Sequence, residues 1–175
     1  MSAIVKISRI SSIPSGQPGA YSNCQNMLGQ IKRLLSPPNY VANTKITEIS
    51  QRPGVLAVTA DVRFYAGVLN ATSKAKWRTE WARTLGRAIE ICRLEPTPIV
   101  IYDSNLPDIE WGSAFDLMNA VPNHRRILLA APSIDEDLWR KVLLHRGYDI
   151  VKRSAGSEEL KRVFRFAWLS LVTPA

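Results

Sequence analysis

The sequence predicts an α/β domain built on a parallel sheet of five short strands, each followed by a helix, with helices on both faces. Three observations carry this. From Gly54 onward, short apolar runs alternate five times with amphipathic stretches at helical spacing, over about 120 residues. The run Pro98 to Tyr102 is wholly apolar, as a central strand buried on both faces must be. Hydrophobic residues make up 46% and charged residues 22% of the 175, the balance of an ordinary globular domain with one core.

Each element has its own signal. The first strand is expected over Val55 to Thr59, and Phe64, Tyr65, Val68 and Leu69 then share one helical face. Trp77 to Trp81 alternates as a second strand, with both tryptophans on one side. Thr84 caps a helix whose stripe is Leu85, Ala88, Ile89 and a buried Cys92. The third strand is Pro98 to Tyr102. Its helix, Trp111 to Ala120, is anchored by Trp111 and stops before Pro122. Arg126 to Ala130 is the fourth strand. Pro132 and Ser133 open a helix with Asp135, Glu136 and Asp137 in its first turn, where the helix dipole favours negative charge, and it runs to His145 before Gly147. Asp149 to Val151 is the fifth strand, and a last helix runs from Ser157 through Ser170.

Residues 1–53 have another texture, rich in Pro, Ser and Asn, and read as an N-terminal extension to a domain over 54–172. Met27, Leu28, Ile31, Leu34 and Leu35 suggest one short amphipathic helix within it. Lys6, Arg9, Lys32, Arg33, Lys45 and Arg52 face Glu48 alone there, so five of the eight net positive charges sit in this arm. Basic balance without a dense Lys/Arg block or interleaved aromatics is a weak nucleic-acid signal, so nucleic-acid binding through the arm is the lesser expectation. Arg125, Arg126, Arg140, Lys141 and Arg146 read as a solvated basic face. Apolar runs such as Ile127 to Pro132 are far short of the roughly 20 residues of a membrane-spanning helix, so no membrane partner is expected. Two cysteines, Cys24 and Cys92, suit a reducing cytoplasm and build no disulfide scaffold or zinc site. Neither His124 nor His145 has a ligand partner at useful spacing, and no phosphate-binding Gly-rich loop, nucleophile elbow or metalloprotease motif is present, so no enzyme is expected.

Four stretches go beyond class. Ile99-Val-Ile-Tyr-Asp103-Ser-Asn-Leu-Pro107-Asp108 resembles the third-strand signature of response-regulator receiver domains, in which an Asp closes an apolar strand and Leu-Pro or Met-Pro follows. Arg126-Ile-Leu-Leu-Ala-Ala-Pro is similar to their fourth strand. Gly147-Tyr-Asp149 and Ser157-Glu-Glu-Leu160 are similar to the segment leading into their fifth strand and last helix. The resemblance covers roughly Val55 to Leu171. It implies a flavodoxin-like, doubly wound (βα)5 sheet in the order 2-1-3-4-5, with sites at the carboxyl ends of the strands.

The resemblance also implies roles. Asp103 stands at the phospho-acceptor position, to be phosphorylated by a histidine kinase with Mg²⁺ held by carboxylates and the phosphoryl oxygens bound by a hydroxyl and a Lys. The other positions depart. The acidic pair falls on Thr59 and Ala60, with Asp61 next door; the hydroxyl falls on Ala130, or on Ala131 with a one-residue shift; and the Lys falls near Lys152, Arg153 and Ser154, without the expected Pro. Asp61 and Asp103 are then the candidate metal ligands. The expectation is a degenerate, pseudo-receiver module without a cofactor, signalling by phosphorylation-independent contact with another protein, a histidine kinase or an output protein. Two alternatives stand beside it: a working phospho-receiver that uses Mg²⁺ and Asp103, and nucleic-acid binding through the arm. With nothing after the last helix but a few residues, output is expected from partner contact or from the extension. A plainer role for Asp103 is to cap the turn formed with Ser104 and Asn105.

Overall fold

The computed structural model describes residues 53–173; the predicted helix near Met27 to Leu35 and the basic arm lie outside them. Five strands and five helices alternate: β1 (Gly54–Val58), α1 (Val62–Ser73), β2 (Arg78–Ala82), α2 (Leu85–Leu94), β3 (Ile99–Asp103), α3 (Trp111–Asn119), β4 (Arg126–Ala131), α4 (Glu136–Leu144), β5 (Asp149–Lys152) and α5 (Ser157–Val172). All pairings are parallel and the order is β2-β1-β3-β4-β5, as the resemblance implied.

The two-residue strand period sorts the core into two layers. Leu56, Val58, Val100, Tyr102, Ile127 and Leu129 face Ile89, Phe115, Met118 and Val142 of α2, α3 and α4. The alternate residues Val55, Ala57, Ile99, Ile101, Leu128 and Ala130 face Phe64, Val68, Leu160 and Phe164 of α1 and α5. Strands β1 and β3 are buried along their whole length, which is why they read as unbroken apolar runs. Each fully buried Leu, Ile or Phe contributes about 1.5–3 kcal/mol through area removed from water.

The structure moves several expected boundaries. β1 ends at Val58 rather than Thr59, and β2 begins after Trp77, because Lys76 takes a left-handed turn (φ 55°) and Trp77 N–H donates to Thr72 O. Asp135 is the N-cap of α4 rather than part of its first turn: its carboxylate accepts from Leu138 N at 2.8 Å, and the helix ends at Leu144, with His145 as its cap. α5 continues past Ser170 to Val172. Gly147 stands where the chain folds from α4 into β5. Its N–H donates to Val142 O, and a Cβ there would lie 2.8 Å from the Phe115 ring.

The solvated basic face is corrected at two positions. Arg125 is buried, donating from Nη1 to Met118 O and from Nη2 to Cys92 O and Pro122 O. It ties the C-terminal ends of α2 and α3 together by donating to backbone carbonyls of their last turns. Arg126 is half-buried, bonds to Ser170 Oγ and O, and lies over the Tyr148 ring at 5.1 Å.

Candidate functional site

At the carboxyl ends of β1, β3 and β5 four side chains meet: Thr59, Asp61, Asp103 and Arg153. Asp103 closes β3 and is almost wholly buried, at 2% exposure. Thr59 Oγ1 donates to Asp103 Oδ2 at 2.7 Å and accepts from Asp61 N at 3.0 Å. Arg153 Nη2 reaches both carboxylates, Asp61 Oδ2 at 2.9 Å and Asp103 Oδ2 at 3.0 Å. Arg153 Nε also lies 2.8 Å from Asp103 Oδ1, an ion-pair contact outside hydrogen-bonding angle. Asn105 N–H donates to Asp103 Oδ1 at 3.0 Å, so the turn-capping role expected for Asp103 is present as well.

Local structure places each member. Asp61 is the N-cap of α1 and accepts from Arg63 N at 2.8 Å and Phe64 N at 3.3 Å. These backbone bonds, helped by Arg153, hold its carboxyl below the ordinary 3.8 against the opposing cost of burial. Thr59 is further fixed by Trp81 Nε1, which donates to Thr59 O at 2.8 Å while Tyr65 stacks on the Trp81 ring at 4.4 Å. The register of β5 on β4 pairs Ala130 with Val151 and Ala131 with Lys152. Arg153 therefore follows Val151 on the α1 and α5 side, where Asp103 lies, while Lys152 shares the parity of Ala131 on the other side and is exposed. Of the two, Arg153 is the one that touches Asp103.

The remaining candidate positions are apolar or outside the cluster. Ala130 is the direct cross-strand partner of Asp103 and has no hydroxyl; Ala131 faces the other layer; Ala60 is exposed beside the site. His145 does have a partner, contrary to the expectation from spacing: its Nδ1 lies 3.1 Å from Asp116, contributed by α3, with the Trp111 ring edge-on at 5.5 Å. That cluster belongs to the opposite sheet face. From the sequence Thr59 is only a lost acidic position; its hydroxyl joining Asp103 to the start of α1 depends on a pairing 44 residues apart in the chain.

As a metal site the arrangement offers little. Asp61 Oδ1 is taken by two backbone amides and Oδ2 by Arg153, while both Asp103 oxygens carry Thr59, Asn105 and Arg153. Mg²⁺ wants near-octahedral oxygen donors, and the guanidinium stands between the two carboxylates that would supply them. Among the described residues, no group of three or more His, Cys, Asp or Glu side chains is placed to hold a metal ion.

Thr59→Val keeps the shape but removes a buried donor to Asp103 and an acceptor for Asp61 N, and should lower stability by about 1–3 kcal/mol in urea unfolding. Asp61, with its folded-state pKa below the unfolded value, adds stability above the ordinary 3.8 that is lost as pH falls through the folded value. Asp61→Asn keeps a good cap without that titration. The advantage of the native chain over the variant should therefore shrink from about pH 5 to pH 2; an advantage constant over that range would place the effect in packing.

No family model and no curated relative matches the chain. Solved structures do match in fold. A response regulator from Thermotoga maritima superposes with a TM-score of 0.61 at 17% identity, over 66% of this chain and 97% of that one. A two-component response regulator from Clostridium difficile gives 0.64 at 11% identity, over 70% and 100%. The signal receiver domain of an HD domain-containing protein from Pseudomonas fluorescens Pf-5 gives 0.61 at 17%, over 70% and 91%. At these identities the likeness is one of fold.

Proposed function

We propose that this chain is a signalling module of the response-regulator receiver type that works through phosphorylation-independent contact with another signalling protein, a kinase or an output protein. It is not an enzyme in this reading, and it uses neither Mg²⁺ nor a phosphoryl group. One observation carries the proposal: the Arg153 guanidinium occupies the space between Asp61 and Asp103, bonded to both. The acceptor carboxylate is thereby neutralised by the protein itself. The alanine paired with Asp103 supplies no hydroxyl for phosphoryl oxygens. Phosphoryl transfer depends on positive charge and donors that act together, and losing one member of such a unit removes most of its effect.

The competing reading, a working phospho-receiver, is favoured by the closeness of Asp61 to Asp103 through their shared partner. Amide NMR of the full chain separates the two. Titration with Mg²⁺ and then beryllofluoride should leave Thr59, Asp103 and Arg153 unshifted, and Asp103→Asn should behave as the native chain does. Shifts clustered on those residues, spreading into β4 and β5 and absent in Asp103→Asn, would establish the phospho-receiver and overturn the proposal.

A further inference from the structure

Beside the four-residue cluster, a cleft of about 470 Å³ opens between α1 and the β5–α5 turn. This lies within the roughly 300–1,000 Å³ of small-molecule sites. Its wall is apolar at Pro132 and Ala155, backed by the buried core residues Phe64 and Leu160. Gly67 leaves its α1 side open, since a Cβ there would meet nothing within 4 Å.

The polar groups around this cleft are unbalanced toward donors. Both Asp61 oxygens are already in use, on the α1 amides and Arg153. On the donor side, Arg63 is exposed and makes no ion pair among the described residues. Arg153 bonds through Nη2, which leaves Nη1 without a partner among them, and the Ser154 hydroxyl is exposed at the rim. α5, which starts just beyond Ala155, has no side-chain cap on its first-turn amides. Two guanidiniums with free N–H groups beside an apolar wall call for an acceptor-rich group carrying an apolar body.

We propose that the cleft between α1 and the β5–α5 turn binds a small organic anion, its acidic end on Arg63 and Arg153 and its apolar body against Pro132 and Ala155. The inference goes beyond the reading of Asp103 and rests on the same placing of Arg153, whose Nη2 holds the two carboxylates and whose Nη1 faces outward. Its consequence is a link between the two. An anion drawing on Arg153 competes with Asp61 and Asp103 for the same guanidinium, so occupancy is read out at the ends of β1 and β3.

The test uses the full isotope-labelled chain with four probes: phenyl phosphate, phenylacetate, inorganic phosphate and benzyl alcohol. Phenyl phosphate or phenylacetate should give saturable shifts at the amides of Gly67, Ser154 and Ala155, and whichever binds more tightly identifies a phosphate or a carboxylate as the favoured acid. Inorganic phosphate and benzyl alcohol, each lacking one half of the ligand, should bind at least about tenfold more weakly. Arg63→Gln, at an exposed position, should weaken the better probe about tenfold. Gly67→Leu should fill the cleft and abolish the shifts, with the remaining amide spectrum reporting that the fold persists. Equal binding of inorganic phosphate, equal binding of benzyl alcohol, indifference to Arg63→Gln, or no saturable shift up to about 10 mM would each overturn the assignment.

Discussion

Arg153→Met is expected to destabilise the protein by about 3 kcal/mol, because it leaves the Asp103 carboxylate buried without its compensating charge. Asp103 is 3% exposed in its side chain against 23% for Arg153, so the carboxylate is the member that cannot turn to solvent. Its bonds from Thr59 and Asn105 remain and keep the loss at the lower end of the range for broken buried pairs. Adding Asp103→Asn to the variant removes the stranded charge and should recover more than half of the loss, the non-additivity expected for residues in contact. Urea midpoints at unchanged slope measure both effects. The variant has a second signature. With the guanidinium gone, Asp61 and Asp103 are free to share a cation, so millimolar-range Mg²⁺ should raise the midpoint of Arg153→Met and leave the native chain unmoved. A single variant as stable as the native chain would show that the ion pair adds nothing. A native chain stabilised by Mg²⁺ would show that Arg153 yields to the metal.

Phe115→Ala should cost about 3–5 kcal/mol, the range for deleting a fully buried aromatic ring. Phe115 is 0% exposed on α3 and sits at the centre of its layer, edge-on to Tyr102 at 6.1 Å and to Trp111 at 5.5 Å. It is also the ring against which Gly147 packs, so the cavity would open at the α4–β5 turn as well. Phe115→Leu, which keeps most of the volume, should cost less than about 1.5 kcal/mol. Because Phe115 lies on the opposite sheet face from Asp103, the amide shifts of Thr59, Asp61 and Arg153 should stay in place in any folded Phe115 variant. Movement there would mean that the two layers are coupled through Tyr102, the residue next to Asp103.

The buried strands were legible because burial on both faces demands unbroken apolar runs, and Ile99 to Asp103 is such a run ended by a carboxylate. Helix starts were legible where a capping residue precedes an apolar stripe, as Thr84 does. Arg125 was not legible. In the chain it stands in a basic stretch beside Arg126, and only the meeting of α2, α3 and the turn at Pro122 supplies the carbonyls that let a guanidinium be buried. His145 was misread for the same reason, since its partner Asp116 lies 29 residues away on another helix.

By itself, then, the sequence determined the alternation of strands and helices, the apolar centre of the sheet and the placing of Asp103 at a strand end. These follow from periodicity, which is local. The tertiary structure alone decided which cation meets Asp103. Lys152 and Arg153 are adjacent and chemically similar, and side chains of a strand alternate between faces, so a one-residue slip of β5 on β4 would exchange them. The register Ala130 to Val151 sets the choice, turning Arg153 onto the two carboxylates and Lys152 to solvent.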